Sequence, residues 1–150
     1  MEKILSFEDL SQVTENTVII TPEKSVIKNS VITFNGKNNI LYIEDGTTLS
    51  NSKIIFNGEN SVVYIGKSNH SCLVNVTVYN ESTVFLGKDS YYNGAVNIIA
   101  SERQNVIIGD DCLFSFGIWI RTADPHLIYN TETKKGSITV NLFTSETMSG

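Results

Sequence analysis

Cysteine clusters and basic clusters are both missing from this sequence of 150 residues. Its two cysteines, Cys72 and Cys112, belong to no CxxC or Cys/His group, so neither a disulfide framework nor a metal site is indicated, and buried free thiols are expected. Acidic residues number 16 against 11 basic ones, for a net charge of -5. Because no group of Lys or Arg offers a footprint for a phosphate backbone, nucleic acid is not expected as a partner.

Long apolar runs are missing as well. No stretch approaches the roughly 20 apolar residues of a membrane span, and residues 1–10 lack the apolar run of a signal peptide. Hydrophobic residues make up 41% of the chain, which suffices for one core but not for two ordinary domains at this length. The sequence therefore predicts one domain, located in the cytoplasm, with no membrane span.

What the sequence does contain is a repeat of about 22 residues. Three tracks of apolar positions share this period, with occasional steps of 21. The tracks are Ile32, Ile54, Val76, Ile98, Ile120; Leu41, Val63, Val84, Val106; and Ile43, Ile65, Leu86, Ile108. Glycine follows the third track at Gly66, Gly87 and Gly109, where it would allow a positive φ or a close backbone approach at a corner.

The repeating unit predicts strands, because its apolar runs are short and rich in Val, Ile, Tyr and Phe. One such unit cannot bury its apolar face alone, but stacked units place equivalent side chains over one another. We therefore predict an all-β, single-domain parallel β-helix. Residues 1–30 form an N-terminal cap and first strand, with a short helix over residues 7–16; residues 31–130 form the coils; and residues 131–150 diverge from the pattern. Periodicity alone does not give the handedness.

The fifth unit ends in a distinctive segment. Residues 108–113 read Ile-Gly-Asp-Asp-Cys-Leu, and residues 120–126 read Ile-Arg-Thr-Ala-Asp-Pro-His, followed by Ile128 and Tyr129. These residues resemble the hexapeptide-repeat acyltransferases, and more closely the O-acetyltransferases that modify capsular polysaccharides, including polysialic acid. The resemblance implies a left-handed β-helix, acetyl-CoA as donor, a sugar hydroxyl as acceptor, and His126 as general base at a cleft between subunits of a homotrimer.

The residue types of this segment suit that chemistry. A sugar hydroxyl does not ionise at neutral pH, so its attack on a thioester needs a base near pKa 7, which histidine supplies. Asp124 lies two positions before His126, on the same side of an extended segment, where it could orient the imidazole. Arg121 could neutralise an acidic sugar, and Tyr129 could stack on a sugar ring. No residues are assigned to acetyl-CoA, and no metal is expected.

Several structural alternatives stand beside these roles. His70 is interpreted as a structural or solvated residue. Trp119 is interpreted as a packing residue, with substrate contact as the alternative, and Arg121 could instead pair with Asp110 or Asp111 at a corner.

The tail departs from the family pattern. Family members continue with an Ile-Gly-Asp/Asn-His-Val-Trp-x-Gly unit and further coils, whereas residues 137–150 do not. Permitted codons for residues 136–150, regrouped after two bases, read Val-Asn-His-Ser-Lys-Ser-Ile-Tyr-Ile-Gly-Asp-His-Val-Trp, which restores that motif. We therefore hypothesise that the tail is a frameshift product, that the chain is a truncated transferase with little activity, and that its last coil exposes a strand edge.

Two other functions remain open at this point. A non-enzymatic β-helix for binding or assembly would share the fold, and a small-molecule sugar acetyltransferase would share the chemistry.

Overall fold

The chain winds as a parallel β-solenoid of about 5 coils spaced roughly 22 residues apart. The computed structural model describes residues 1–101 and 103–122, together with the backbone of one strand at 138–141. Apart from one short helix, the described residues form strands, turns and bends. The predicted all-β, parallel β-helix is therefore confirmed, whereas its handedness stays a prediction.

The solenoid has three sides, two formed by six-stranded sheets and the third by two short strand pairs, with strands numbered in chain order. Sheet I contains β1 (Glu2–Ile4), β4 (Val31–Phe34), β7 (Lys53–Phe56), β9 (Val74–Val78), β12 (Val96–Ala100) and β15 (Trp119–Arg121). Sheet II contains β2 (Thr17–Ile19), β5 (Ile40–Ile43), β8 (Val62–Ile65), β10 (Thr83–Leu86), β13 (Asn105–Ile108) and β16 (Ile138–Asn141). The third side contains the pairs β3 (Val26–Lys28) with β6 (Thr48–Ser50), and β11 (Tyr91–Tyr92) with β14 (Leu113–Phe114).

The core consists of the three apolar tracks found in the sequence. In sheet I, Ile54 pairs in register with Ile32 below it and Val76 above it, and the ladder continues through Ile98 and Ile120. The other two tracks stack in the same way in sheet II. These side chains are 0–1% exposed because strand residues alternate between the inside and the outside of the coil. The predicted 22-residue register is therefore confirmed.

Corners depend on glycine for close packing and on asparagine or other polar residues for the left-handed backbone. A Cβ on Gly87 would lie 2.4 Å from the carbonyl carbon of Gly109, so coils approach too closely there for any side chain. The φ of Gly87 is not positive, so of the two roles predicted for glycine at these corners, a positive φ or a close backbone approach, Gly87 has the second. At another corner, Asn38 and Asn60 have φ of 60° and 62°, a region that asparagine tolerates well.

A ladder of buried polar side chains connects the coils at one corner. The Asn39 side chain donates to the Asn16 carbonyl oxygen at 3.0 Å and to the Gly58 backbone carbonyl at 2.9 Å. Its own Oδ1 accepts the backbone N–H of Ser61 at 3.0 Å. Asn39 is fully buried, so these bonds satisfy backbone groups that the corner would otherwise leave without partners.

The N-terminal segment packs onto the first coil. Strand β1 pairs antiparallel with β4 and buries Ile4 completely. A 3₁₀ helix follows at Phe7–Gln12, shorter than the helix expected over residues 7–16. The side chain of Asp9 accepts the backbone N–H groups of Leu5 and Ser6 at 2.8 and 3.2 Å, which fixes the start of the helix. Leu10 is partly buried and packs against the hydrophobic core.

Glu2 ties β1 to the segment that follows the helix. Its carboxylate accepts the N–H groups of Thr14 at 2.7 Å and Glu15 at 3.1 Å, and the side-chain amide of Asn16 at 2.9 Å. Partial desolvation raises the pKa of Glu2, but these hydrogen bonds outweigh it and lower the pKa to about 2.

At the other end, β16 pairs antiparallel with β13, in register from Asn105 opposite Asn141 to Ile108 opposite Ile138. In sheet II the last parallel strand is therefore not an edge. The expectation of an exposed strand edge is wrong for this sheet, because backbone hydrogen bonding does not require the side-chain pattern of a regular coil.

Candidate functional site

Two of the predicted site residues lie side by side on β15, which comes last in the chain among the described strands of sheet I. Trp119 and Arg121 are two positions apart, so both point to the outside, while Ile120 between them is fully buried. The guanidinium carbon of Arg121 lies 5.9 Å from the centroid of the Trp119 ring, within the range of a cation–π contact. Trp119 is 54% exposed, so the pair presents an aromatic surface and a positive charge to solvent.

The strand that carries this pair is fixed at its end. The hydroxyl oxygen of Thr122 accepts the N–H of Ser101 at 2.9 Å, and the N–H of Thr122 donates to the carbonyl of Ile99 at 3.0 Å. Thr122 is buried and is the last described residue before the predicted catalytic segment. Asp124, His126 and Tyr129 lie outside the described residues, so their roles stay predictions.

Two of the alternative interpretations need correction. Trp119 is not a packing residue, because more than half of its surface is exposed. Among the ion pairs of the described residues, none joins Arg121 to Asp110 or Asp111. Asp110 instead accepts the backbone N–H of Lys88 at 2.7 Å, which stabilises the corner between adjacent coils.

The outer face of sheet I carries polar, basic and some aliphatic side chains, and it includes Trp119 and Arg121. Asn75 donates to the side chain of Asn97 at 3.2 Å, and Asn97 pairs in register with Trp119. The outward-facing residues of this sheet are Lys3, Val31, Thr33, Lys53, Ile55, Asn75, Thr77, Asn97, Ile99, Trp119 and Arg121. We call this surface the sheet I face.

The outer face of sheet II is apolar instead. Tyr42, Tyr64 and Phe85 stack face to face in adjacent coils, with ring centroids 4.7 Å apart at each step. The outward-facing residues of β2, β5, β8, β10 and β13 are Thr17, Ile19, Ile40, Tyr42, Val62, Tyr64, Thr83, Phe85, Asn105 and Ile107. We call this surface the sheet II face; none of these residues is charged.

No protein-family model, curated protein or solved structure matches this chain. The case for a function therefore depends on the residues of the chain and on the geometry that they form.

A charged group borders the sheet II face. Glu44 accepts a hydrogen bond from the hydroxyl of Tyr64, and its carboxylate lies 3.8 Å from the ammonium of Lys88. The hydrogen bond to Glu44, with desolvation as the second cause, raises the pKa of Tyr64 to about 12. Tyr64 therefore stays a neutral hydrogen-bond donor at neutral pH, and the group serves to hold the aromatic stack in place.

Other residues that could carry chemistry are accounted for by the structure. Both cysteines are buried thiols outside any disulfide, which confirms that prediction, and burial raises the pKa of the Cys72 thiol to about 12. His70 is exposed, with its ring 4.6 Å from that of Tyr91 in an edge-on contact. Over residues 1–101 and 103–122, no group of three or more His, Cys, Asp or Glu side chains could hold a metal. In the same part of the chain, no helix is long and apolar enough to cross a membrane.

The two outer faces were not predicted from the sequence. A signal was present, because Tyr42, Tyr64 and Phe85 follow the same spacing as the core tracks, offset by one residue. In a strand, an offset of one residue places a side chain on the opposite side of the sheet.

Proposed function

We propose that this chain is a truncated form of an acetyl-CoA-dependent O-acetyltransferase that acts on a sugar hydroxyl of a capsular or other surface polysaccharide. The observation that carries the proposal is the exposed pair of Trp119 and Arg121 on the last parallel strand of sheet I. An exposed tryptophan offers an apolar surface for a sugar ring, and an adjacent arginine offers hydrogen bonds and charge for a carboxylate. The Asp-Pro-His sequence begins at Asp124, three residues after Arg121 and two after Thr122.

The reaction needs one base and an activated donor. In the proposed mechanism His126 removes the proton of the acceptor hydroxyl as its oxygen attacks the thioester carbonyl of acetyl-CoA. The carbon–sulfur bond then breaks, and the coenzyme A thiolate leaves and takes up a proton. Because the thioester is already activated, the protein need not supply a nucleophile, and the base contributes about 10²- to 10⁴-fold in rate.

The remaining residues have supporting roles in this proposal. Asp124 orients the imidazole of His126, which holds the ring in the tautomer that accepts a proton. Arg121 and Trp119 bind the acceptor sugar together with Tyr129. The residues that bind acetyl-CoA are not assigned.

Association into a homotrimer is also part of the proposal. It is supported by the sheet II face, where Ile19, Ile40 and Phe85 are 38–44% exposed on a flat surface without charge. Apolar patches of this kind mark interaction surfaces. A cytoplasmic location follows from the same proposal, since the donor is acetyl-CoA.

The test compares two histidine variants in an assay of coenzyme A release with acetyl-CoA and an acidic polysaccharide. The reaction should be abolished by His126→Asn and unaffected by His70→Asn, because His70 lies on the third side of the solenoid beside Tyr91. The same assay is made on a version with the hypothesised reading frame restored. Equal activity of the two variants in a form that transfers acetyl, or no acetyl transfer by either form of the protein, would contradict the proposal.

A second candidate is a non-enzymatic β-solenoid that serves in binding or assembly. The aromatic stack of Tyr42, Tyr64 and Phe85 favours it, because an uncharged face needs a partner but no catalytic group. Equilibrium binding of acetyl-CoA separates the two. The transferase binds it, whereas an assembly protein does not and still associates through the sheet II face.

A further inference from the structure

The sheet I face carries positive charge only, although the chain as a whole has a net charge of -5. Lys3, Lys53 and Arg121 are its charged residues, and all three are exposed. No acidic residue occupies an outward position on the described strands of this sheet. Glu2, at the end of β1, is aligned with the inward-facing Phe34 and bonds to the segment after the 3₁₀ helix.

The three cations are spread along the solenoid axis. Lys3 on β1 and Lys53 on β7 are separated by one intervening strand, which corresponds to about 10 Å at the usual spacing between strands. Lys53 and Arg121 on β15 are three strand spacings apart, or about 14 Å. An anionic partner that contacts all three must therefore extend for about 24 Å along the face.

Hydrogen-bonding groups lie on the two strands between Lys53 and Arg121, alongside the aliphatic side chain of Ile99. Asn75 and Asn97 form an amide ladder, and Thr77 adds a hydroxyl beside it. All three side chains are half-buried between neighbouring strands, so they present their polar ends at the level of the sheet. The centre of the sheet I face thus suits a partner that offers hydroxyl and carboxylate groups. The apolar interior of a bilayer would leave such amides without partners.

We propose that the sheet I face binds an extended stretch of an acidic polysaccharide and guides it toward Trp119 and Arg121. This inference rests on the proposed function, since it gives the acceptor a binding surface that runs along the solenoid from Lys3 to Trp119 and Arg121. The cations provide attraction that depends on ionic strength, and the amide ladder provides hydrogen bonds. Longer acceptor chains should therefore bind more tightly than short ones until they span the face.

The experiment measures binding of immobilised polygalacturonate to the unmodified chain without acetyl-CoA, with dextran as the neutral polymer. Lys53→Gln and Lys3→Gln should each weaken binding about two- to fivefold, the range for an exposed ion pair. The double variant should weaken it about tenfold, because the two positions are far enough apart to add. Lys37→Gln is the matched control: Lys37 is also exposed but lies at the corner after β4, off this face.

Each result has a defined meaning. Binding of polygalacturonate that falls with added salt and with both face variants, but not with Lys37→Gln, supports the inference. Equal binding of dextran, an equal loss with Lys37→Gln, or binding to phosphatidylglycerol vesicles in place of the polysaccharide overturns it. Polymer binding without acetyl transfer would leave the surface in place and remove the proposed function. Acetyl transfer to short acceptors without polymer binding would support the proposed function and overturn the inference of a binding surface.

Discussion

Replacing Ile54 by alanine removes a side chain from the middle of the sheet I ladder. Ile54 is fully buried and pairs in register with Ile32 and Val76. The next residue, Ile55, is half-buried and points to the outer face of the same strand. Ile54→Ala and Ile55→Ala therefore delete the same atoms from opposite sides of one strand, and each serves as the control for the other.

The expected loss of stability follows from burial. Truncating a buried isoleucine to alanine costs about 2–5 kcal/mol, as the lost transfer free energy plus a term for the cavity. The β-branched neighbours Ile32 and Val76 are held by backbone pairing and have little rotamer freedom, so the cavity cannot collapse, and we expect about 3–4 kcal/mol. Part of Ile55 already contacts water, so its truncation should cost about 1 kcal/mol or less.

Urea denaturation followed by far-UV circular dichroism measures both losses. A difference of about 2–3 kcal/mol is a large part of the 5–15 kcal/mol that stabilises an ordinary domain, so the two midpoints should separate clearly. Equal losses, or a larger loss for Ile55→Ala, would refute the reasoning. A larger loss for Ile55→Ala would indicate that the register of the strand is shifted by one residue, because such a shift exchanges its inner and outer positions.

Three further predictions concern hydrogen bonds and close packing. The pKa of Glu2 is about 2 in the folded chain against 4.5 in the unfolded chain. Its contribution to the free energy of unfolding is therefore complete above about pH 4.5 and is lost as the pH falls toward 2. Glu2→Gln should flatten this part of the curve of melting temperature against pH. Asn39→Ala leaves buried backbone groups without partners and should cost about 3 kcal/mol in denaturant, whereas Asn35→Ala, at an exposed position, should cost under about 1 kcal/mol. Gly87→Ala forces the backbone away from Gly109 and should lower stability by about 1–3 kcal/mol in the same assay.

Each of the three predictions for Glu2, Asn39 and Gly87 has a result that would contradict it. An unchanged pH curve for Glu2→Gln would remove its carboxylate from the stabilisation of the N-terminus. Similar losses for Asn39→Ala and Asn35→Ala would mean that the polar ladder is not buried. Wild-type stability of Gly87→Ala would mean that the coils are farther apart at that corner than described.

The stacked fold was predictable because three independent tracks share one period. Ile54, Val63 and Ile65 each have equivalents about 22 residues away in both directions, and a structure that keeps such residues together must return to the same side once per repeat. The register in the structure matches the sequence tracks residue for residue.

Strand β1, the length of the helix and β16 could not be predicted in this way, because each occurs only once. The pairing of β1 with β4 depends on burial of Ile4 beneath Ile32, a contact between residues far apart in sequence. The outward position of Trp119 was missed although the repeat carried a signal for it. It follows Asn75 and Asn97 at the repeat spacing, and those polar residues mark the outer side of the strand.

The sequence could predict which residues belong to the candidate site, but not the surface that surrounds them. The sequence indicated the segment around His126 through resemblance, and the outward direction of Arg121 follows from the burial of Ile120. The cation-only surface of sheet I could not be seen without the strand register, because Lys3, Lys53 and Arg121 are scattered over most of the chain.

The two antiparallel strands at opposite ends bear on polymerisation. Solenoids with open ends can grow into filaments when the last coil of one molecule pairs with the first coil of the next. In sheet I such growth would need the edge of β4 that β1 already occupies, and in sheet II it would need the edge of β13 that β16 already occupies. In each sheet, one edge of the parallel strands is therefore already paired with an antiparallel strand, and the two covered edges lie at opposite ends of the molecule. One covered edge per sheet is enough to block parallel stacking, because each such contact needs the last coil of one molecule and the first coil of the next.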